Sequence, residues 1–258
     1  RTEYHKETVR QGAGLDADRR LSQDAMQRGW NCLARFAERL AGFEPSQVRV
    51  VATQTLREAR NRDEFVSVAE QTLGFPIDVI SGREEARLIY QGVVHLLPQS
   101  DERRLVLDIG GRSTELIIGQ GYRPQTMESY RVGSVAWSMR YFADGVMTAK
   151  NFERAEIAAK AVLDDAISTH EIGRAHGRRH WDVAYGCSGT VGAIADTLLL
   201  AGRVPARYLI TRDGLDWMRD KLVKAHKFDA IKLEGIKDER KAVIAGGLAV
   251  LRALFDLL

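Results

Sequence analysis

The segment Asp108-Ile109-Gly110-Gly111-Arg112-Ser113-Thr114-Glu115 places a carboxylate at each end of a paired-glycine turn. An Asp at a strand end followed by two glycines lets a ligand approach the backbone closely, turns amide N–H groups toward an anion and leaves a carboxylate for hydrated Mg²⁺. Ser113 and Thr114 add hydroxyl donors. The combination suits phosphate chemistry with magnesium, although a plain β-hairpin uses the same glycines for turn geometry alone. A second turn, Gly186-Cys187-Ser188-Gly189-Thr190, lies where a strand candidate meets a helical pattern. The first N–H groups of a helix form an anion site there, and a simple turn capped by Ser188 or Thr190 has the same composition. Neither segment is a Gly-Lys-Ser/Thr phosphate loop or a G-x-G-x-x-G dinucleotide fingerprint.

The elements that must position these turns follow from periodicity. Met26, Trp30, Leu33, Ala37 and Leu40 form the stripe of an amphipathic helix closed by Gly42. Val48–Ala52 and Ile77–Ile80 read as short strands, separated by a helical pattern over Phe65, Val68, Ala69, Thr72 and Leu73. This alternation predicts a largely parallel, helix-covered sheet. Ser81-Gly82-Arg83-Glu84 has capping-box form and opens a helix burying Ala86, Ile89, Tyr90, Val93, Val94 and Leu97. Leu105–Ile109 and Thr114–Ile118 then read as two strands, with a third near Thr126–Val132. Helical patterns cover Asn151–His170, Val191–Leu200 and Ile244–Leu258, with a strand candidate at Trp181–Tyr185. No internal repeat is visible.

Composition narrows the function classes. With 45% hydrophobic and 28% charged residues over 258 positions, disorder and fibrous architecture are excluded. A net charge of +3 does not call for nucleic acid. The uncharged stretch Val183–Ala195 is shorter than the ~18 to 20 residues of a membrane-spanning helix. Cys32 and Cys187 form no C-x-x-C pair, so a disulfide framework or cysteine zinc site is not indicated, and a reducing, cytoplasmic setting is expected. The histidines show no metal-ligand spacing. The basic run Arg174–His180 reads as a solvated connector, with a polyanion track as the alternative. Trp30, Trp137, Trp181 and Trp217 are expected to be packing residues.

Several segments in order carry a resemblance: Val9–Leu15, Ala52–Ala59, Ile80–Tyr90, the Asp108 loop, Gly186–Thr190, and Asp238–Lys241 leading into Gly246-Gly247-Leu248. Along essentially its whole length the chain resembles the exopolyphosphatase and guanosine pentaphosphate phosphatase (Ppx/GppA) family, in its long bacterial branch. That resemblance implies an α/β, actin-like (ribonuclease H-like) two-domain fold with an interdomain cleft. The domains are expected at 1–92 and 93–258. It also implies that a strand-turn-strand phosphate loop precedes Arg1 and a helical region follows Leu258, so a longer natural chain is expected.

Residue by residue, the resemblance implies that Glu85 is the general base that activates water, while its first-turn position alone fits an ordinary dipole-favoured carboxylate. Asp108 and Glu115 correspond to metal-associated carboxylates, and Gly110, Gly111, Ser113 and Thr114 to a phosphate-facing loop. Gly189 and Thr190 correspond to a second phosphate loop, and Arg57 to an arginine on the phosphate chain. Arg112 stands where the family usually has a small residue; it either adds a phosphate contact or points outward. The implied cofactor is Mg²⁺, and the implied reaction is hydrolysis of a terminal phosphoanhydride of inorganic polyphosphate or guanosine pentaphosphate. A homodimer is compatible with the sequence; a membrane span or a specific nucleic-acid partner is not expected. The rival readings are an actin-like ATPase or kinase and a non-catalytic polyphosphate or alarmone binding module.

Overall fold

The computed structural model describes residues 3–168, 174–175 and 178–258. His170 and the side chains of the basic run from Arg174 to Arg179 lie outside the described residues. The chain forms two compact units, Arg1–Ser81 and Gly82–Leu258.

In the first unit, helix α1 (Gln23–Leu40) starts at Ser22, whose side chain accepts from the Ala25 amide, and packs on α3 (Arg62–Leu73). Between them lie strand β1 (Val50–Ala52) and the short helix α2 (Gln54–Glu58), and β2 (Ile77–Val79) pairs with β1 in parallel. The core gathers Leu21, Met26, Leu56, Phe65 and Ala69. Buried Asn61 ties the layers by exchanging two hydrogen bonds with the Leu21 backbone, at 2.8 and 3.0 Å. The parallel, helix-covered arrangement expected from the sequence is present as two strands.

The second unit begins with α4 (Gly82–Val94), so the division expected at residues 92/93 falls inside a helix that packs wholly within the later unit. Strands β3 (Arg103–Ile109), β4 (Thr114–Gln120) and β5 (Arg123–Tyr130) form an antiparallel meander. Helices α5 (Ser134–Tyr141) and α6 (Ala149–Ser168) follow, then a two-residue pair, β6 (Arg174–Ala175) and β7 (Arg178–Arg179). Strand β8 (Val183–Cys187) joins β3 in parallel, giving the order β5-β4-β3-β8. Helices α7 (Ser188–Leu200), α8 (Arg212–Ala225) and α9 (Asp238–Leu257) complete the unit.

Side chains alternate across a strand, so each strand serves two cores. Leu105, Leu107, Ile109, Leu116 and Ile118 face the large core under α5 to α9. Val106 and Ile117 face α4, where Ala86, Tyr90 and Val94, four residues apart, are fully buried. Helix α9 crosses α5 closely because residue 246 is glycine: a Cβ there would meet the Ser138 amide at 2.5 Å. The buried Arg252 of α9 donates to Glu156 of α6 at 2.6 Å and pairs with Asp216 of α8, pinning three helices.

The β3–β4 turn is anchored by α5. The amides of Ser134 and Val135 donate to the carbonyls of Gly110 and Gly111 at 2.9 and 2.8 Å, and the Ser134 hydroxyl donates to Gly110 at 3.1 Å. Gly133 permits this contact, since a Cβ on it would lie 2.6 Å from the Arg112 nitrogen. Its extended backbone suits any residue, so the restriction is steric.

Two stability predictions follow from this packing. Gly133→Ala should cost ~1 to 3 kcal/mol, read as a lower urea midpoint, with faster amide exchange at 111–113. Arg252→Ala should cost about 2 to 3 kcal/mol, because it leaves the half-buried Glu156 without its cation.

Candidate active site

Strand register brings the acidic residues together. Asp108 lies directly opposite Glu115 across β3 and β4, and Cys187 lies beside Asp108 in the parallel β3–β8 pair. By alternation Asp108 shares the face of Val106 and Glu115 that of Ile117, which is the face α4 covers. Glu85, in the first turn of α4, acts electrostatically on both carboxyls. Three of the expected residues, Glu85, Asp108 and Glu115, therefore converge at one end of the sheet.

The surroundings of Glu115 and Asp108 disfavour charge. Glu115 is 1% exposed and is pushed up to about 7, first by burial and then by the Glu85 charge, against hydrogen bonds from Ser129 and Ser113. The Ser129 hydroxyl donates to Glu115 Oε1 at 2.7 Å. Half-buried Asp108 is also raised, chiefly by burial; hydrogen bonds to Cys187 and Ser188 oppose this, and Glu85 adds to it. Burial pushes the Cys187 thiol up, reinforced by the Asp108 charge. Such a group of like charges accommodates a cation.

The glycine turn supplies the opposite polarity. Gly110 donates to the Ser113 carbonyl at 2.9 Å, closing the hairpin. Among the described residues every peptide bond is trans, and α5 holds the carbonyls of Gly110 and Gly111, so the N–H groups of Gly111 and Arg112 point away from α5. Ser113 and Thr114 are buried. The expectation that Thr114 offers its hydroxyl to phosphate is corrected: that hydroxyl donates to Val132 at 2.6 Å and fixes the loop exit.

At the second glycine motif, Gly186 and Cys187 finish β8, and α7 begins at once with Ser188. Ser188 has φ 88°, a strained value for a residue with a side chain, and it hydrogen-bonds Asp108. Gly189 is exposed, and a Cβ there would overlap the Arg240 guanidinium, so this arginine lies against the motif. Arg240 was legible only as part of the Asp238–Lys241 motif, with no role attached. Thr190 is buried, its methyl group against Gly247. Arg57 belongs to the first unit. There its guanidinium donates to Gln54 Oε1 at 2.7 and 3.1 Å and to the Ile80 carbonyl at 2.9 Å, which fixes the fork at the end of β2.

Among the described residues no group of three or more His, Cys, Asp or Glu side chains is arranged to hold a metal. Mg²⁺ does not require such a cage: it binds through one or two carboxylates and keeps its other positions for water and substrate phosphate. The facing pair Asp108 and Glu115, with hard oxygen donors and excess negative charge, fits that demand.

A model of the Ppx/GppA phosphatase family matches residues 3–258. A Vibrio cholerae protein named guanosine-5'-triphosphate,3'-diphosphate pyrophosphatase is 44% identical over 254 residues, 98% of this chain and 49% of that protein. The chain thus spans about half the length of the curated relatives it matches. A solved exopolyphosphatase-like protein is 26% identical with a TM-score of 0.81, over 97% of this chain and 80% of that one. An exopolyphosphatase from Cytophaga hutchinsonii is 22% identical with a TM-score of 0.77, over 95% and 80% of the two chains. An Aquifex aeolicus PPX-GPPA enzyme gives 22% and 0.71, over 97% and 82%. The expected α/β class is observed, and the fold is that of these solved Ppx/GppA and exopolyphosphatase-like proteins. A family model that matches nearly the whole chain shows that it belongs to the Ppx/GppA phosphatase family.

Proposed function

We propose that this chain carries the catalytic machinery of a hydrolase that releases the terminal phosphate of guanosine pentaphosphate or inorganic polyphosphate. The observation that carries the reading is the convergence of Glu85, Asp108 and Glu115 beside the outward N–H groups of Gly111 and Arg112. The 44% identical relative named for the guanosine substrate supports the nucleotide as the first choice. The unpaired Cys32 and Cys187 support a cytoplasmic setting.

Glu85 removes a proton from water as the water oxygen bonds to the terminal phosphorus. The bridging P–O bond breaks, and the shortened anhydride leaves with its electron pair. The loop N–H groups hold the non-bridging oxygens of a loose transition state, and no covalent enzyme intermediate is needed. Mg²⁺ bound through Asp108 and Glu115 would neutralise phosphate charge. Ser188 keeps the Asp108 carboxylate oriented, and Arg240 supplies a fork suited to phosphate oxygens.

In the full natural chain, Glu85→Gln should lower phosphate release by about 10²- to 10⁴-fold while substrate affinity changes little. Near-parental turnover would remove Glu85 as the base, and binding without turnover by the parent would leave a binding module. Asp108→Asn should shift half-maximal activity to higher Mg²⁺ concentration; an unchanged Mg²⁺ profile would contradict its assignment.

A further inference from the structure

Three strand registers line up four side chains across the second unit's sheet: Cys187 beside Asp108, Asp108 opposite Glu115, and Glu115 opposite Ser129. Directly paired residues share a face, so the row crosses β8, β3, β4 and β5 on the side that α4 covers. The middle two are the carboxylates proposed for Mg²⁺, and each end of the row carries a group with one proton to give. Sequence patterns assign Ser129 only to a strand.

The Ser129 hydroxyl spends its proton on Glu115 Oε1, at 2.7 Å. A bond of this kind to a carboxylate is stronger than one between neutral groups, and Glu115 is buried, so bulk water does not take its place. The strand, and not the bond, aims the side chain. Ser129 lies within the β4–β5 ladder; Met127, two residues back, packs on the α4 face, and Tyr130 enters the large core on the other. The hydroxyl is therefore in place before any ligand arrives. At the far end of the row the Cys187 thiol is a weaker donor and also reaches the Leu107 carbonyl, at 3.4 Å.

We propose that Ser129 is a positioning residue for the divalent cation: by holding Oε1 it fixes the Glu115 carboxylate in the orientation that binds the ion. The proposal rests on the reading of Asp108 and Glu115 as the Mg²⁺ carboxylates. A carboxylate free to rotate loses that freedom when it takes up a metal, and a hydrogen bond from the protein removes the cost in advance. Loss of such an outer partner typically weakens metal binding by about 10- to 100-fold.

The test uses Mn²⁺ alone as the probe, with the full natural chain and no substrate, and reads binding from the loss of the free ion's electron paramagnetic resonance signal. Ser129→Ala should weaken binding about tenfold. Ser129→Thr, which keeps the hydroxyl on a residue that favours strands, should bind with near-parental affinity. In phosphate release, Ser129→Ala should raise the Mg²⁺ concentration for half-maximal rate by the same factor. Ser129→Ala removes one oxygen and leaves the strand ladder intact, and a cooperative melt of the metal-free variant checks that it is folded. Asp108→Asn is the reference. Weakened binding in Asp108→Asn with parental binding in Ser129→Ala, or equal weakening in Ser129→Ala and Ser129→Thr, would overturn this inference and leave the Mg²⁺ reading standing. Parental binding in both Asp108→Asn and Glu115→Gln would remove the Mg²⁺ reading itself, and this inference with it.

Discussion

The β3–β4 register is the constraint on which the site depends. It sets Asp108 opposite Glu115 and leaves four residues, Gly110 to Ser113, to turn the chain. A slip of β4 by one residue would send Glu115 to the opposite face, into the aliphatic core under α5 to α9. The register is held from several sides: by buried Leu105, Leu107, Leu116 and Ile118, by the Thr114 hydroxyl on Val132, and by the α5 amides on Gly110 and Gly111. One packing solution thus fixes both the acidic pair and the direction of the loop N–H groups.

The electrostatics follow from that placement. Two carboxyls at the end of a sheet buried on both faces are poorly hydrated, and Glu85 brings a third to the same place. Like charges crowded in this way suit the proposed Mg²⁺ and phosphate, which would relieve them from opposite directions. The left-handed Ser188 belongs to the same economy: strain at the β8–α7 junction is retained where its side chain meets Asp108.

Much of this was legible in the sequence, because strong alternation and glycine turns report local geometry. The Asp108 hairpin, the α4 stripe through Ala86, Tyr90 and Val94, and the strand-to-helix passage at Gly186–Thr190 all appear where their patterns put them. Helix α5 was missed because its eight residues give too few turns for periodicity, and α2 is shorter still. Helix α8 had a readable stripe in Leu215, Met218 and Leu222, masked by the charged residues between them. The commitment of the Thr114 hydroxyl to Val132, the steric need for Gly133 and the contact of Arg240 with Gly189 depend on tertiary approach, which spacing does not encode. The domain boundary shows the same limit: packing on the sheet, which spacing does not encode, assigns the whole of α4 to the later unit.

The central claim is that water attacks the terminal phosphorus of a phosphoanhydride at this site. The direct measurement is a single turnover of guanosine pentaphosphate by the full natural chain in water enriched in oxygen-18, with products separated by mass. The account predicts one heavy oxygen in the released inorganic phosphate and none in the remaining nucleotide. Label in the nucleotide, or phosphate released without label, would contradict it.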